Sequence, residues 1–424
     1  MKIFKFGGAS VNSAEAVRNA GSIIRREWQQ ELVVVFSAMG KTTNMLEEVV
    51  NAAWHKTGNT DLCISKVQQY HAQIINDLFP AHHIVHHLLE GFLLNLSVVA
   101  GNPSFGYDEF YDRVVSFGEL ISTAILSLWL DEQGLSNILL PAPSLLKTDN
   151  HFRGAAILWP QTCERIQTHV RTVLADNPGH FILTQGFIGS TTDGRPTTLG
   201  REGSDFTAAV LAYCLDAQEV IVWKDVDGLL NADPVYFDTT QLIPALSYRE
   251  TIELAYYGAK ILHPKTIKPL RNKNIPLRIR SFFHPELPGS VIHASEQSDT
   301  LIPFFILKKE QLLLSFSTRD FSFINEEKLK ILFGVFSDQN IRINLMQNSA
   351  ISFTVCINHP QHKLSTLLEV LGEDFEIRYN EGLELLTIRH FESVDLQTYV
   401  TGCRILLEQR SRRTLQIAYQ RTCQ

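Results

Sequence analysis

Apolar and polar residues in the first 295 positions fall into short blocks that predict β-strands separated by helices. The predicted strands are Ile3–Phe6, Leu32–Phe36, Phe181–Gln185, Val220–Trp223 and Leu277–Arg280. A strand as continuously apolar as Leu32–Phe36 is typical of a parallel sheet that is buried on both faces. Helices between such strands cover the sheet, so the pattern predicts a layered α/β domain.

The helices follow from the same pattern. Val17, Ala20 and Ile24 recur at helical spacing and share one face. Asn12 stands before this helix and is expected to cap it. Residues 52–102 are rich in helical periodicity, and we interpret them as an elaboration on the sheet.

The pattern changes after about residue 290. The elements predicted there are strand, helix, strand, strand, helix and strand, at Leu312–Phe316, Glu326–Asp338, Ile341–Met346, Ile351–Ile357, Leu364–Leu371 and Phe375–Tyr379. This is the order of a ferredoxin-like unit. The polar stretch 293–300 marks the predicted boundary, which gives one domain over 1–295 and another over 300–424.

Composition and charge narrow the class of protein. The 424 residues are 45% hydrophobic and 20% charged, the balance of an ordinary globular protein. The net charge of -7 disfavours nucleic acid and anionic membranes as partners. An anionic ligand must therefore be held by a few local lysines, arginines and backbone N–H groups.

The six cysteines are scattered without CxxC spacing, so we expect neither a disulfide framework nor a zinc ribbon. Such cysteine usage favours a reducing compartment. The N-terminus begins directly as a strand, without the apolar segment of a signal peptide. No apolar run approaches the ~20 residues that cross a bilayer. We therefore expect a cytoplasmic protein.

Two strand ends near the N-terminus carry groups that suit an anion. Lys5 is followed by Gly7 and Gly8, which fit either a tight turn or a close approach of the backbone to phosphate. The segment Ser37–Asn44 contains Gly-Lys-Thr, but a P-loop needs a glycine where Val35 stands, so we reject that motif. A capped helix start and an anion site both remain open for this segment.

Two further stretches combine charge with turn residues. Ser116–Glu119 precedes an apolar helix, where Glu119 either stabilises the helix dipole or meets a basic group. Thr197–Asp205 embeds an arginine and an aspartate among glycines and opens a helix. Arg201 can grip a carboxylate through two bonds, and the helix N-terminus suits an anion. Asp205 can cap the helix or hold lysines in register.

The remaining polar stretches are more ambiguous. Trp223–Gly228, with Asn231 and Asp233 downstream, suits a nucleotide ribose, a hydrated magnesium ion or an ordinary turn. A lone lysine in a stretch such as Tyr257–Lys265 is usually a solvated surface residue. His82–His87 places histidine pairs at a spacing that can hold a metal, but without a third ligand a solvated helix face is favoured.

Taken in order, these stretches resemble the aspartate kinases of the amino acid kinase superfamily. The matching segments are Lys5–Val11, Ser116–Glu119, Thr197–Asp205, Asp225–Gly228, Asp233-Pro234 and Gly258–Pro264. The C-terminal ferredoxin-like unit, at about 310–380, is similar to the regulatory ACT domain of that family. The resemblance thus covers nearly the whole chain. It implies an αβα sandwich of the amino acid kinase type with a mainly parallel sheet, followed by an α+β ACT region.

The resemblance implies phosphoryl transfer from ATP to L-aspartate, giving 4-phospho-L-aspartate and ADP on the route to lysine, threonine and methionine. It implies Mg²⁺ on the ATP phosphates without a firm protein ligand. In such a reaction the protein mainly positions groups and neutralises charge. By resemblance, Lys5 and the amides of Gly7 and Gly8 stabilise the moving phosphoryl group. Lys260 supports the nucleotide phosphates, and Asp205 orients the lysines.

The resemblance also implies how the two substrates are held. Arg201 would grip the α-carboxylate of aspartate, helped by Thr43 and Ser204. Glu119 would meet the α-amino group. The residues expected along the ATP and phosphate site are Lys5, Gly7, Gly8, Ser37, Lys224, Asp225, Asn231, Asp233 and Lys260.

Five positions depart from the family pattern. Ala9 stands where the family has threonine, Glu202 where it has a glycine, Lys224 where threonine is common, Leu230 where tyrosine is frequent and Val235 where arginine often follows. The last three are on the expected ATP side, so nucleotide contacts there are expected to differ. Glu202 adds a negative charge beside the expected anion site.

The C-terminal end is too short for a full second ACT unit. We expect a remnant in which Leu383–Arg389 and Arg413–Tyr419 pair with an earlier strand such as Phe304–Leu307. By resemblance, a lysine or threonine effector is sought at Ser317–Phe323 and Asn344–Ser349, and the ACT region is expected to form a homodimer. We expect no homoserine dehydrogenase half of the kind found in fused relatives.

Two alternative functions stay open. The same fold could phosphorylate N-acetylglutamate or glutamate, although Ser116–Glu119 and the ACT region argue against this. A chain of another class would bind an amino acid as a sensor without turnover. The presence of Lys5, Arg201, Asp205 and Lys260 argues for the enzyme, and turnover separates the two.

Overall fold

The computed structural model describes residues 1–29, 31–104, 106–259, 261–296, 302–320, 322–360 and 363–421. The chain divides into two compact units. The first comprises Met1–Leu229, Leu242–Ile252 and Ile261–Asp299, and the second comprises Leu230–Gln241, Glu253–Lys260 and Thr300–Gln424. The predicted domain limits at residues 295 and 300 stay a prediction.

The elements alternate along the chain as the sequence pattern predicts. The strands are β1 (Lys2–Phe6), β2 (Leu32–Phe36), β3 (Asn137–Leu139), β4 (Lys147–Thr148), β5 (Phe181–Gln185), β6 (Ile188–Thr191), β7 (Pro196–Thr198), β8 (Glu219–Lys224), β9 (Leu229–Leu230), β10 (Leu242–Ile243), β11 (Ala245–Ser247), β12 (Leu277–Ser281), β13 (Ser290–His293), β14 (Phe304–Thr318), β15 (Ile343–Asn348), β16 (Ser352–Asn358), β17 (Phe375–Arg389), β18 (Cys403–Arg410) and β19 (Thr414–Arg421).

The helices fill the intervals between these strands. They are α1 (Ala14–Glu27), α2 (Thr42–Trp54), α3 (Thr60–Leu78), α4 (Ile84–Ala100), α5 (Tyr107–Val115), α6 (Phe117–Glu132), α7 (Ala142–Leu145), α8 (Trp159–Asp176), α9 (Gly203–Leu215), α10 (Tyr248–Tyr257), α11 (Pro264–Asn272), α12 (Glu326–Asp338), α13 (Leu364–Gly372) and α14 (Gln397–Val400). The helix-rich character predicted for residues 52–102 is confirmed by α3 and α4.

The first unit is built on an eight-stranded sheet in the order β11-β13-β12-β8-β1-β2-β5-β3. Neighbouring strands are parallel except for the antiparallel pair β12 and β13. Every residue of β2 and β5 is buried, as expected for strands covered on both faces. The predicted mainly parallel α/β sheet is confirmed.

Four parallel strands end together at one edge of this sheet. Phe6 of β1 lies in register with Phe36 of β2 and with Trp223 of β8, and Phe36 lies in register with Gln185 of β5. The loops that follow these strands therefore emerge side by side. The loops after β1, β2 and β8 carry three of the polar stretches singled out in the sequence, at the edge where open parallel sheets bind ligands.

Two details of the first unit differ from the sequence prediction. Helix α1 is capped by Ser13, whose hydroxyl accepts the N–H of Ala16 at 3.2 Å, so the prediction of Asn12 as the cap is wrong by one residue. The stretch Tyr107–Glu132 is a 26-residue helical run that is long and apolar enough to cross a membrane, which the sequence pattern did not suggest. Its most apolar window is 72% buried inside the structure, as in a core helix.

A disulfide joins Cys163 of α8 to Cys214 of α9, across 51 residues of sequence. The expectation of no disulfide is therefore wrong. Spacing could not reveal this pair because only the packing of the two helices brings the cysteines together. Among the described residues, the free thiols are Cys63, Cys356 and Cys403.

The histidine run does not form the predicted helix face. Helix α4 begins only at Ile84, and the ring of His83 caps it by accepting the N–H of Val85. His83 also pairs with Glu132, at 2.7 Å from Nε2 to Oε1. His82 precedes the helix, so the two pairs predicted at helical spacing do not share a helix. Across the described part of the chain, no three His, Cys, Asp or Glu side chains gather in a way that could hold a metal.

The second unit contains a six-stranded antiparallel sheet in the order β15-β16-β14-β17-β19-β18. The succession β14, α12, β15, β16, α13, β17 is the predicted ferredoxin-like order. Leu332 of α12 and Leu367 of α13 pack with Phe316, Val355 and Phe375 of the sheet in one buried core. The predicted ACT-like architecture is confirmed.

Strands β14 and β17 are each 15 residues long and extend beyond the ferredoxin-like unit. Phe304–Leu307 of β14 pairs with residues 386–389 of β17, and β17 pairs in turn with β19. The predicted pairing of the C-terminal remnant is thus confirmed. The edge strand β18 was not predicted, because only Leu407 among its residues is buried and no apolar alternation marks it.

Candidate active site

A buried ion pair lies at the carboxyl edge of the first unit's sheet. Lys5 of β1 places Nζ 2.7 Å from Oδ1 of Asp205, in the first turn of α9. The two residues are only 8% and 4% exposed. Burial alone would raise the pKa of Asp205, but the ammonium groups of Lys5 and Lys224 outweigh it and hold the pKa below its usual value. Asp205 is therefore ionised and gives Lys5 a fixed counter-charge.

The turn after β1 packs so closely on the turn after β2 that it requires glycine. A Cβ on Gly8 would lie 2.8 Å from the carbonyl oxygen of Gly40 and 2.9 Å from that of Ala38. Gly40 donates its N–H to the carbonyl of Gly8 at 3.0 Å, and its φ of +54° is left-handed. A Cβ on Gly7 would lie 3.3 Å from Nζ of Lys5. The two glycines therefore keep backbone close beside the lysine.

Glu119, in the first turn of α6, supplies a buried carboxylate. It is 2% exposed, and Oε1 accepts the N–H of Ala38 at 3.2 Å. Oε2 has no hydrogen-bond partner among the described residues. Burial raises the pKa of Glu119 to about 8, although the Ala38 N–H and the Lys5 charge oppose this. A buried carboxyl oxygen without a partner is suited to an incoming cation.

The loop between β7 and α9 adds a cation and a helix N-terminus. Arg201 is exposed and lines the space in front of Lys5, and Ser204 borders the same space. Gly186, after β5, allows the N-terminus of α9 to approach, because a Cβ there would lie 2.5 Å from Cβ of Ser204. The first N–H groups of α9 lack helical partners and suit an anion.

These groups border a single cleft of about 470 Å³ within the first unit. The predicted site residues that line it are Lys5, Gly8, Ser37, Thr43, Glu119, Arg201, Ser204 and Asp205. Among these predicted residues, Lys5 and Arg201 are cations, and Glu119 has a carboxyl oxygen without a partner in the described structure. A space of this size and polarity can hold a small zwitterion together with a phosphoryl group.

Two residues that sequence reasoning missed organise the same cleft. Asp112 of α5 is fully buried and accepts the N–H of Arg153 at 2.9 Å and both the N–H and the hydroxyl of Thr198, at 2.8 and 2.7 Å. Burial raises the pKa of Asp112 to about 6, against these hydrogen bonds. Arg153 lines the cleft with its guanidinium 4.5 Å from the ring centre of Tyr111. The sequence signal that could have identified this site is Asp112 itself, a lone aspartate on the apolar face of a helix.

Three residues predicted for the ATP side are not among those that line this cleft or cannot be placed. Lys224, at the end of β8, donates from Nζ to the carbonyl oxygen of Ile261 at 3.1 Å. Asp225 follows it and is exposed. Lys260 lies outside the described residues.

Asn231 and Asp233 belong to the second unit and make local hydrogen bonds there. The amide of Asn231 donates to the carbonyl of Pro303 at 3.0 Å and accepts the N–H of Gln241 at 2.7 Å. Asp233 accepts the N–H of Val235 at 3.0 Å. Their assignment to an ATP site stays a prediction.

Comparisons with known proteins agree with this fold and this cleft. Residues 1–281 match the sequence model of the Amino acid kinase family, which is the class that the parallel sheet and the polar cleft define. Aspartokinase 3, chloroplastic, of Arabidopsis thaliana is 31% identical over 392 residues, which cover 87% of this chain and 68% of that protein. The chain belongs to the aspartokinase family.

A solved structure agrees along the whole chain. E. coli aspartokinase III in complex with aspartate and ADP (R-state) superimposes with a TM-score of 0.81 at 25% identity, over 99% of this chain and 96% of that one. The same protein in complex with lysine and aspartate (T-state) gives a TM-score of 0.82. The fold class and the family predicted from the sequence are confirmed.

Several relatives are longer than this chain. The bifunctional aspartokinase/homoserine dehydrogenase 2, chloroplastic, of Arabidopsis thaliana is 28% identical over 418 residues, which cover 92% of this chain and 43% of that protein. The chain spans about two fifths of the length of such bifunctional relatives. Those relatives are named chloroplastic, and a cytoplasmic location of this chain stays a prediction.

Proposed function

We propose that the chain is an aspartate kinase that transfers the γ-phosphoryl group of ATP to the β-carboxylate of L-aspartate, yielding 4-phospho-L-aspartate and ADP. The observation that carries the proposal is the charge pattern of the cleft, which combines the Lys5–Asp205 pair with Arg201 and the unpartnered oxygen of Glu119. Aspartate offers the matching groups: an α-carboxylate, an α-ammonium and a β-carboxylate. The complex of E. coli aspartokinase III with aspartate and ADP supports this assignment.

The chemistry needs no general base from the protein. The nucleophile is the β-carboxylate of the substrate, which is already ionised at pH 7. Lys5 neutralises charge on the moving phosphoryl group, and Asp205 holds its ammonium at 2.7 Å, so little reorganisation is needed during transfer. The amides of Gly7 and Gly8 approach the same group, and Lys260 supports the nucleotide phosphates.

Recognition of aspartate falls to other residues of the same cleft. Arg201 binds the α-carboxylate with the help of Thr43 and Ser204, all of which line the cleft. Glu119 binds the α-ammonium through the oxygen that lacks a partner in the described structure. With aspartate held in this way, we expect its β-carboxylate to face Lys5.

Magnesium is proposed to arrive with the nucleotide. Asp205 is engaged by Lys5 and Glu202 by the N–H of His263, and burial favours the neutral form of Glu119, so these three carboxyl groups of the cleft do not form a set of hard anionic ligands. These residues fit an ion that is held by phosphate oxygens and water rather than by a protein cage. When bound, Mg²⁺ neutralises charge on the phosphates, and we name no protein ligand for it.

We also propose that an amino acid, lysine or threonine, regulates the enzyme through the second unit, in a homodimer formed by the ACT region. E. coli aspartokinase III is known in complex with lysine, which supports an effector of this class. The two segments proposed to receive it, Ser317–Phe323 and Asn344–Ser349, are followed by residues that meet, because Ile324 donates its N–H to the carbonyl of Ala350 at 2.9 Å. Titration of both amino acids against the initial rate tests this, and a flat rate with each would contradict it.

The proposed activity is tested by ADP release from Mg-ATP in the presence of L-aspartate, with hydroxylamine present to trap the acyl phosphate. Parallel reactions contain glutamate or N-acetylglutamate as the acceptor. We expect hydroxamate with aspartate alone. Turnover with glutamate or N-acetylglutamate would assign the enzyme a different substrate. Binding of ATP or an amino acid without turnover of any acceptor would favour an amino-acid sensor.

A matched pair of variants isolates the role of the cleft in that assay. Lys5→Ala removes the lysine of the ion pair and is expected to abolish aspartate-dependent hydroxamate. Lys2→Ala removes a lysine of the same strand that also pairs with a carboxylate, Glu219, at 2.7 Å. It is expected to retain most of the activity. Equal loss in both variants would indicate damage to β1 rather than loss of a catalytic charge.

A further inference from the structure

The three residues that follow Lys260 in the chain are held at both ends by charged side chains from other segments. Nζ of Lys224 donates to the carbonyl oxygen of Ile261 at 3.1 Å. The carboxylate of Glu202 accepts the N–H of His263 at 2.6 Å. Both bonds involve a full charge, which makes them stronger than bonds between neutral groups.

Glu202 reaches this position through an uncommon backbone conformation. It is the residue before α9 and has φ +54° and ψ +30°, a left-handed geometry that disfavours residues other than glycine. The family pattern has glycine at this position, so the glutamate side chain is present despite the strain. Its carboxylate lies at His263, the residue that caps α11, where unpaired N–H groups and the helix dipole favour a negative charge.

Lys224 approaches the same segment from the end of β8. It follows the fully buried Trp223, and it stands where the family pattern has threonine, which could not reach as far. Its charge also acts on Asp205 and helps to keep that carboxylate ionised. Lys224 therefore connects the ion pair of the cleft with the backbone at Ile261.

We propose that Glu202 and Lys224 are a matched pair of positioning residues that fix the segment Ile261–His263, which directly follows Lys260 in the sequence. Glu202 and Lys224, two departures from the family pattern that are 22 positions apart in sequence, thus hold the same backbone segment. Neither side chain acts on the reacting atoms, because each holds a backbone group. The inference rests on the proposed kinase function only in its prediction that these two residues affect the rate of the reaction.

The direct test is hydrogen exchange of the full-length protein, followed by mass spectrometry over residues 261–266. Glu202→Gly removes the acceptor of the His263 N–H and is expected to speed exchange there about tenfold, the size of one charge-assisted hydrogen bond. Glu202→Gln keeps a neutral acceptor, so its exchange rate at residues 261–266 is expected to lie between those of Glu202→Gly and the wild type. Unchanged exchange in Glu202→Gly would overturn the proposal.

The matched control is Asp216→Gly, at the opposite end of the same helix. Asp216 also has a left-handed backbone, with φ +51°, and its carboxylate pairs with Lys273. The control removes equal backbone strain and one carboxylate but leaves the segment 261–263 alone. Faster exchange at 261–266 in both variants would overturn the proposal, because the effect would then belong to α9 as a whole.

Kinetics add a readout that separates positioning from general destabilisation. Glu202→Gly and Lys224→Thr are each expected to raise the KM for Mg-ATP about five- to tenfold, with a smaller change in the KM for aspartate. The double variant is expected to lose less than the product of the two effects, because both bonds hold one segment. A rise in the KM for aspartate alone would contradict the proposal.

Failure of the kinase function and failure of this inference are distinguishable. If the wild-type protein turns over no acceptor, the proposed function fails, yet the exchange comparison still decides whether Glu202 holds His263. If turnover is present and exchange does not respond, only the positioning proposal fails.

Discussion

Two lysines, the buried Lys5 of the first unit and the half-buried Lys308 of the second, show how the surroundings of a cation affect its properties. Lys5 faces the carboxylate of Asp205 at 2.7 Å, whereas Lys308 of β14 faces the neutral amide oxygen of Asn344 at 2.8 Å. Burial lowers the pKa of Lys308 to about 8, and the charge of Arg342 adds to this effect. The comparison teaches that the two lysines differ in their partners: Lys5 has a fixed counter-charge, whereas Lys308 lacks one and has its pKa lowered by burial.

The neighbours of the two lysines differ in the same sense. Around Lys308, the amide of Asn344 donates to Gln311 and to Asn358, both at 2.8 Å, so the polar groups satisfy one another. A closed network of this kind stabilises a sheet. Around Lys5, the nearby Glu119 keeps an oxygen without a partner among the described residues. The unpartnered oxygen of Glu119 borders the candidate cleft, whereas the hydrogen-bonded network around Lys308 belongs to the sheet of the second unit.

The largest expected effect comes from making Lys5 resemble Lys308. Asp205→Asn replaces the counter-charge by an amide, so we expect kcat to fall about 10²- to 10³-fold, the usual size of losing one preorganised charge interaction. Steady-state ADP release measures it. Asp216→Asn removes a carboxylate that pairs with a lysine at the other end of α9 and is expected to change kcat less than about twofold, as surface pairs do. Similar losses in both variants would contradict the comparison.

The second prediction concerns the open carboxyl group. Glu119→Gln is expected to lower kcat/KM for aspartate about 10- to 100-fold, because the α-ammonium loses a charged partner. The pH profile sharpens this. With its pKa raised to about 8, Glu119 is mostly neutral at pH 7 and ionises as the pH rises. In the wild type, kcat/KM for aspartate should therefore increase up to about pH 8, and this increase should vanish in the variant. A parallel rise in both would contradict the role of Glu119.

The smallest effect is expected in the second unit, from giving Lys308 the counter-charge that it lacks. The pKa of Lys308 falls from 10.5 to about 8 on folding, so the unfolded chain binds that proton more tightly. Stability should then rise with pH between about 8 and 10.5. Asn344→Asp should raise the pKa of Lys308 and remove this rise. Urea unfolding across this range measures it, and an identical pH dependence in wild type and variant would contradict the argument.

Much of the first unit could be predicted because its strands and turns are determined by the order of apolar residues and glycines within short segments of the sequence. The continuous apolar run of β2 and the glycines after β1 carry their own signals, and the structure confirms the parallel sheet that they indicate. Lys5 and Asp205 were expected to act together, and they lie 2.7 Å apart.

The features that escaped prediction depend on contacts between distant segments. Asp112 and Arg153 are 41 positions apart and meet only because α5 packs beside the loop after β4. Cys163 and Cys214 likewise meet only through the packing of α8 on α9. The glutamate at position 202 had no explanation in the sequence, because its partner is the backbone of His263. The hydrophobic pattern and the short motifs of a sequence do not reveal contacts between such distant segments.

The most direct test of the account is trapping of aspartyl hydroxamate by the wild type, Lys5→Ala and Asp205→Asn at saturating Mg-ATP and aspartate, with calorimetric binding of aspartate measured on the same samples. The account predicts hydroxamate from the wild type, its loss in both variants and retained binding of aspartate. Hydroxamate formation at the wild-type rate in either variant would contradict the claim that this ion pair promotes phosphoryl transfer from ATP to aspartate. Absence of hydroxamate with the wild type would contradict it as well.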